Sequence, residues 1–252
     1  MQRALIELHQ VSLEIEGRVL LRSLNLQLFE GESLALIGPS GSGKSLLLKL
    51  MAGLLEPTGG EIWDQGRPRS SMSPEEKLRW SRRQSMLFQR NALFDSMSSL
   101  ENVIFQQVES RGVDYESASR RATTTLETVG LGHAANLYPD EISGGMQKRL
   151  GIARAIALEP ELIFYDDPTA GLDPITSRKI IMLIRELQVR PGRARSTIVV
   201  VTNEMARAYQ VADRIAFMDR GELLVTGTVS ETQAHQDPRV RLFIRGEAEG
   251  PQ

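Results

Sequence analysis

The sequence contains no cysteine. Disulfides, thiolate zinc sites and cysteine nucleophiles are therefore excluded, and a reducing compartment is the simplest context for the chain. It also lacks an excess of positive charge, because 30 Lys and Arg residues face 32 Asp and Glu residues and leave a formal net charge of −2. Without a basic field to attract a phosphate backbone, nucleic-acid binding is disfavoured, and we expect no nucleic-acid partner.

Long apolar stretches are missing as well. No segment approaches the ~20 apolar residues needed to cross a bilayer. The N-terminal segment reaches Glu7 before any long apolar run, which is not the pattern of a secretory signal peptide. A role at a membrane would therefore depend on a partner. The 252 residues are 41% hydrophobic and 25% charged, and this composition is typical of a globular protein that can bury one large core.

The order of local patterns predicts an α/β fold. Strand-like segments dominate the first 65 residues or so, and helical periodicity prevails between about 73 and 158. Strands then return around a helix predicted over 174–188. The runs Leu34–Ile37 and Ile198–Val201 have no polar face, as expected for central strands of a parallel sheet that is covered on both sides.

A phosphate-binding loop is predicted between an apolar strand and a helix. Its glycines allow backbone N–H groups to surround a β-phosphate at the helix N-terminus. Lys44 places a positive charge against the β- and γ-phosphates, and Ser45 can ligate Mg²⁺. The alternative, a glycine-rich turn without function, is disfavoured by this strand–loop–helix context. The loop consists of Gly38, Pro39, Ser40, Gly41, Ser42, Gly43, Lys44 and Ser45.

Two carboxylates follow the apolar strand predicted at 162–166. In open α/β sheets ligands bind at the carboxyl ends of the strands. Asp166 is therefore the candidate Mg²⁺ ligand, and Asp167 stands where a general base or a water-orienting group would be placed. Taken alone, such a strand end would often be a solvated turn, but a phosphate-binding loop in the same chain favours the nucleotide interpretation.

A second helix N-terminus able to receive an anion is predicted at Ser143, Gly144 and Gly145. Taken alone, this segment is an ordinary helix cap. Asp166 follows Ser143 by 23 residues, and that spacing makes the segment a recognisable signature.

Together these motifs resemble the ATP-binding cassette (ABC) family over essentially the whole chain. The resemblance implies an ABC-type P-loop NTPase fold, with a mixed or parallel sheet core, an N-terminal antiparallel β subdomain and an inserted α-helical subdomain. We expect one domain over 1–245, a core over 1–85 and 159–245, a helical subdomain over about 86–158, and a loose tail over 246–252.

The resemblance also implies ATP and Mg²⁺ as cofactors and a homodimer that forms on ATP binding. In this family the Ser-Gly-Gly element of one subunit closes on the γ-phosphate held by the other. Gln89 matches the family's Q-loop, which contacts Mg²⁺ and the membrane subunit, and Asp173 matches the D-loop, which links the two sites. Taken alone, these residues would be a surface glutamine and a helix N-cap.

Two positions depart from the family pattern and affect catalysis. Asp167 stands where the family usually has glutamate, and Asn203 stands in the switch loop where most members carry histidine. Asp167, Asn203 and Gln89 are the catalytic candidates, and we expect slow hydrolysis. The aromatic residue that stacks on adenine is also missing near the N-terminus, which leaves Ile15 or its neighbours to contact the base.

Further segments are similar to the lipid-transport ATPases of the Mla/Mce type. These are 86–89, 92–97, 101–103 and 237–243, together with Met146 in the signature. The resemblance implies a phospholipid or related hydrophobic substrate moved between inner and outer membranes. It also implies an integral permease, an Mce-domain partner with accessory proteins, and a peripheral position on the cytoplasmic face of the inner membrane.

Two alternatives stay open. The first is a non-transport ABC ATPase of DNA repair or translation, against which a single cassette without coiled-coil arms or zinc ligands argues. The second is a nucleotide-gated subunit with very slow hydrolysis, which Asp167 and Asn203 motivate. Copurification with a membrane permease tests the first alternative, and steady-state turnover tests the second.

Overall fold

Two β-sheets carry the fold in the computed structural model, which describes residues 3–189 and 194–246. The first sheet is antiparallel, with strand order β2-β1-β4-β5. Its strands are β1 (Ala4–Ile15), β2 (Arg18–Phe29), β4 (Gly59–Asp64) and β5 (Arg67–Pro68). Burial alternates along much of β2, so that one face of the sheet packs inward. The predicted antiparallel β subdomain is confirmed.

The second sheet has six strands in the order β10-β9-β3-β8-β7-β6. Adjacent strands in this sheet run parallel, except that β10 is antiparallel to β9, so the sheet is mixed. Every residue of β3, β7 and β8 is buried, as their continuous apolar runs predicted. The strands are β3 (Ser33–Ile37), β6 (Gln84–Leu87), β7 (Leu162–Asp166), β8 (Thr197–Val201), β9 (Arg214–Asp219) and β10 (Glu222–Thr228).

The mostly helical segment predicted over about 73–158 also contains a strand, β6, that the sequence did not predict. This strand pairs in parallel with β7, where Gln84 lies opposite Leu162 and Leu87 opposite Tyr165. It has only four residues, lies at the edge of its sheet and buries only Leu87 fully, so neither length nor alternation marks it in the sequence. β6 also spans the predicted boundary between residues 85 and 86.

Helices cover both faces of the six-stranded sheet. Most of them begin at a Ser, Thr or Asp whose side chain accepts a hydrogen bond from the first helical turn, as at Ser98 and Asp114. The α-helices are α1 (Lys44–Met51), α2 (Pro74–Ser81), α3 (Ser99–Arg111), α4 (Tyr115–Thr128), α5 (Gly144–Ala157), α6 (Pro174–Gln188), α7 (Met205–Val211), α8 (Val229–Gln233) and α9 (Pro238–Ile244). Single 3₁₀ turns lie at Arg69–Ser71, Gly132–Ala134 and Pro139–Glu141.

The core is divided by the six-stranded sheet. Along β7, Ile163 and Tyr165 face a cluster with α3 to α6, whereas Leu162 and Phe164 face a cluster with α1 and the antiparallel sheet. A third cluster joins β3 and β9 to α7 and α9. The prediction of a sheet covered on both faces is confirmed, and the layers hold the carboxyl ends of β3, β7 and β8 side by side.

None of the helices within 3–189 and 194–246 combines the length and the apolar character that a membrane span requires. The tail was predicted over 246–252, and all of it except Gly246 lies outside the described residues.

Candidate nucleotide site

The phosphate-binding loop connects β3 to α1 and depends on glycine at two positions. Gly38 has φ 143°, and a Cβ there would lie 1.9 Å from the backbone oxygen of Met218. Gly43 has φ 103°, and a Cβ there would lie 2.5 Å from Cδ2 of Leu21. Both backbone conformations belong to the region that favours glycine. The loop therefore follows a path, close to β9 and β2, that other residues could not take without strain.

Lys44 is held by the loop that precedes it. Its Nζ donates to the carbonyl oxygens of Gly38 and Pro39, at 2.8 and 2.7 Å, and to Ser42 Oγ at 3.4 Å. Burial lowers the pKa of Lys44 to about 8, although the two aspartates at the end of β7 oppose that shift. The acceptors around Lys44 Nζ are neutral oxygens, so an incoming phosphate would supply a negatively charged partner for this buried ammonium group.

Ser45 and Asp166 form the candidate metal site. Ser45 Oγ donates to Asp166 Oδ1 at 2.7 Å, and Asp166 ends β7 with only 7% of its surface exposed. Hydroxyl and carboxylate oxygens are ligands that Mg²⁺ accepts, usually with one or two protein ligands and the substrate phosphates. Among the described residues no group of three or more His, Cys, Asp or Glu could hold a metal by itself. The donor set therefore fits a nucleotide-bound Mg²⁺.

A cleft of about 320 Å³ brings four distant segments of the chain together. They come from the phosphate-binding loop, the end of β6, the end of β7 and the end of β8. The walls are formed by Ser40, Gly41, Gly43, Lys44, Ser45, Leu46, Gln89, Asp166, Asp167, Val201 and Asn203. The three catalytic candidates of the sequence analysis, Gln89, Asp167 and Asn203, thus share one cleft with the candidate metal site.

Asp167 has an unusual backbone and an available oxygen. Its φ is 43°, a left-handed conformation that is uncommon outside glycine. Its Oδ1 is buried and has no hydrogen-bond partner among the described residues. Burial raises the pKa of the carboxyl, against the opposing effect of Arg207 and Lys148. A buried acceptor of this kind can orient a water molecule or bind a ligand group.

Gln89 and Asn203 lie at exposed edges of the cleft. The carbonyl oxygen of Gln89 accepts a hydrogen bond from Nζ of Lys148, which is almost fully buried on α5. Sequence reasoning did not identify Lys148 or Arg207 as neighbours of the site. Lys148 lies three residues after the Ser-Gly-Gly signature, but nothing in that motif assigns it to the cleft, and Arg207 belongs to no motif with a phosphate or metal function.

The predicted signature and D-loop residues do not line this cleft. Ser143 accepts from the backbone N–H of Met146 at 3.3 Å, which confirms it as the N-cap of α5. Asp173 caps α6 in the same way. Ser143 and Gly144 are exposed, so the N-terminus of α5 is open to a ligand from outside the subunit. Ile15, the candidate adenine contact, is exposed and also lies outside the cleft lining.

The fold and the cleft define a class of protein. A glycine-rich loop follows the buried parallel strand β3, opens a helix and faces a carboxylate at the end of β7, the second strand along the sheet from β3, which is the arrangement of P-loop nucleotide-binding proteins.

Comparison with known proteins identifies the family. The family model described as ABC transporter matches residues 21–170. The chain is 38% identical to the intermembrane phospholipid transport system ATP-binding protein MlaF of Escherichia coli K12, over 98% of this chain and 91% of that protein. It is 36% identical to TRIGALACTOSYLDIACYLGLYCEROL 3, a chloroplastic protein of Arabidopsis thaliana, over 98% and 75% of the two chains. The chain belongs to the ABC transporter family and is an ABC-type ATPase.

Solved structures share the fold. A dimeric ATP-binding cassette in a post-hydrolysis state, bound to ADP and Pi, has a TM-score of 0.78 and 31% identity, over 89% of this chain and 98% of that one. The cbiO1 protein of Clostridium perfringens, part of an ABC transporter complex, has a TM-score of 0.82 and 25% identity, over 97% and 96%.

Proposed function

We propose that this chain is the ATP-hydrolysing subunit of a transporter that moves phospholipid, or a related hydrophobic substrate, between inner and outer membranes. The similarity to MlaF along nearly the full length of both proteins is the observation that carries the substrate class. The chloroplastic relative is similar over almost the whole of this chain as well.

In the nucleotide site, residues 38–45 bind the α-, β- and γ-phosphates through backbone N–H groups and the Lys44 ammonium. Ser45 and Asp166 hold Mg²⁺, with Gln89 as a further ligand. The direct 2.7 Å hydrogen bond between Ser45 and Asp166 supports this assignment, because it keeps two suitable oxygens on one side of the cleft. When bound, Mg²⁺ would neutralise charge on the β- and γ-phosphates.

Asp167 orients the attacking water, and Asn203 donates a hydrogen bond to the γ-phosphate. The unpartnered Oδ1 of Asp167 supports the first role, and the position of Asn203 on the same cleft supports the second. Asp167 is one methylene shorter than glutamate, and an amide cannot carry a proton as histidine can. We therefore propose slow turnover, and a nucleotide-gated subunit with very little hydrolysis is the second candidate that these two residues favour.

Two copies complete each site. Ser143, Gly144 and Gly145 of one subunit would contact the γ-phosphate bound by the other, and Asp173 would lie between the two sites. The helix α5 is 14 residues long, and its exposed N-terminus lies outside the cleft of its own subunit. This position supports the arrangement. A similar cassette forms a dimer in its solved structure.

The membrane permease would dock beside Gln89. The contact would include Leu93 and Phe94; the Phe94 ring packs against Phe105, with centroids 4.8 Å apart, and under Arg154, yet 37% of the residue stays exposed. A neighbouring groove of about 510 Å³ lies between the core and α3. We extend the permease contact into this groove, because three exposed apolar side chains line it. They are Leu54, Leu78 and Phe88.

The remaining assembly follows from the same proposal. The core would comprise 1–85 and 159–245 of a domain over 1–245, with the helical subdomain at about 86–158 as the permease-facing part. An Mce-domain protein and accessory subunits would complete the transporter. The chain would lie peripherally on the cytoplasmic face of the inner membrane.

The test is lipid transfer by the reconstituted complex. The chain is coexpressed with a permease of the phospholipid transport type from the same organism, and ATP-dependent movement of fluorescent phospholipid between two vesicle populations is followed. We expect transfer with the unchanged chain and none with Lys44→Ala. Failure of the chain to copurify with the permease would favour a non-transport ATPase, and a copurifying complex that hydrolyses ATP but moves no lipid would refute the substrate class.

A further inference from the structure

Arg207 connects the two loops that carry the catalytic candidates. Its Nη1 donates to Oγ1 of Thr169 at 2.5 Å, and its Nη2 pairs with Oε1 of Glu204 at 2.6 Å. Thr169 follows Asp167 by two residues, and Glu204 directly follows Asn203. The side chain of Arg207 is only 15% exposed, and Thr169 is almost fully buried.

We propose that Arg207 is a positioning residue for ATP hydrolysis, whose guanidinium group fixes the loop beginning at Asp167 against the loop that carries Asn203. The inference rests on the proposed roles of Asp167 and Asn203. It adds a residue on α7 that no motif identifies and that does not line the cleft itself.

The loop after β7 needs such a support. It starts at Asp167 in a left-handed conformation, which costs on the order of 1–3 kcal/mol and persists only where the surroundings hold it. It continues through successive turns, in which Ala170 N–H donates to the Asp167 carbonyl at 3.1 Å and Leu172 N–H donates to the Thr169 carbonyl at 3.2 Å. A shift of Thr169 would therefore reach Asp167 through one turn of backbone.

The geometry suits arginine. A planar guanidinium group offers donors in a fixed fork, so one side chain can bind a hydroxyl and a carboxylate on different loops at once. A lysine ammonium group on its flexible stem keeps the charge but not the fork. Arg207 should thus act on the relative position of the two loops, and lysine should replace it only in part.

Several charged groups lie within electrostatic range of the Asp167 carboxylate, so charge alone does not single out Arg207. They are Arg207, Lys148, Asp166, Glu204 and Lys44. The distinguishing property of Arg207 is that its contact with Thr169 joins the loop after β7 to the start of α7, where Glu204, three residues earlier and 55% exposed, holds the same guanidinium group. The test must therefore separate positioning from a general change of charge.

The experiment measures steady-state ATP turnover of the assembled transporter. Arg207→Met should lower kcat about 10- to 100-fold, because a displacement near 1 Å can cost on the order of 100-fold in rate. KM for ATP should stay within about twofold, since the phosphate-binding loop is untouched. Arg207→Lys should recover part of kcat. The control is Arg241→Met, which removes an exposed arginine on α9 and should leave kcat unchanged.

The Thr169 contact is tested by the nearly isosteric Thr169→Val. We expect a loss of kcat of the same order, and the Thr169→Val/Arg207→Met double variant should be no slower than the slower single variant, because both remove one contact. Thermal melting of each variant shows whether it is folded. Additive losses, or a wild-type kcat in folded Arg207→Met, would refute the inference.

The outcome for Asp167→Asn separates this inference from the proposed function. If Asp167→Asn abolishes turnover while Arg207→Met turns over normally, only the positioning role fails. If Asp167→Asn turns over normally, the catalytic role of Asp167 fails, and the positioning role fails with it.

Discussion

The buried ion pair between Arg69 and Asp64 allows a quantitative prediction for the P-loop helix. Arg69 Nε and Nη2 donate to the two Asp64 carboxylate oxygens at 2.7 and 2.6 Å. Nη1 and Nη2 also donate to the carbonyl oxygens of Leu50 and Met51, at 2.7 and 2.9 Å. These carbonyls lie at the C-terminal end of α1, where few intrahelical donors remain, although that of Leu50 also accepts from the backbone N–H of Gly53 at 3.1 Å. The guanidinium group therefore satisfies an acid and a helix C-terminus at once.

Arg69→Met would leave the Asp64 carboxylate buried without its counter-ion. The two side chains are only 5% and 1% exposed, so water cannot replace the lost contacts. Removing one partner of a buried pair typically costs about 3–5 kcal/mol. For a domain of this size, each kcal/mol lowers Tm by about 2–4 °C. We expect Tm to fall by about 6–20 °C in differential scanning calorimetry.

A neighbouring arginine supplies the matched control. Arg67 pairs with Glu76 at 2.7 Å, but its side chain is 55% exposed. Exposed ion pairs contribute about 0–1 kcal/mol, so Arg67→Met should lower Tm by only a few degrees. The Arg69→Met/Asp64→Leu double variant should regain part of the loss, because no unpaired charge remains. A Tm for Arg69→Met equal to that of Arg67→Met would refute this account.

Three further predictions concern function. Lys44→Ala should abolish tight binding of fluorescent ATP and, in analytical ultracentrifugation, ATP-dependent dimers; unchanged affinity would contradict the role of Lys44. Asp167→Glu and Asn203→His should each raise turnover of the assembled transporter, and more so together, because both act on one γ-phosphate; a fall in turnover for both would contradict the proposed roles. Leu54→Asp should prevent copurification with the permease while ATP binding persists. The control Leu242→Asp, also at an exposed leucine, should still copurify with the permease. Normal assembly of the Leu54→Asp variant would exclude the groove as the docking site.

The two departures from the family pattern have different structural contexts. Asp167 is half-buried, and its Oδ1 has no partner among the described residues, so a longer side chain would extend toward the cleft from a backbone that is already strained. Asn203 is exposed at the end of β8 and can change rotamer at little cost. We therefore expect Asn203→His to be the better tolerated substitution.

Elements with local signals could be predicted from the amino-acid sequence alone. The loop at 38–45 needs glycine where the backbone adopts positive φ, and its flanking strand and helix follow from adjacent residues. The strands at 33–37 and 162–166 are continuous apolar runs, and burial on both faces requires that composition. Asp173 followed by proline likewise identified a helix start that the structure confirms.

Contacts between distant side chains could not be predicted in this way, because they depend on tertiary packing. Lys148 reaches the carbonyl of Gln89 across 59 positions of the chain, and Arg207 reaches Thr169 across 38. Both are cations on helices, where local periodicity distinguishes an inner face from an outer one but not the neighbour on that face. The edge strand β6 depends on its partner β7 in the same way. Such contacts are set by how helices and strands pack together, because their free energy arises between elements and leaves no local pattern in the sequence of either one.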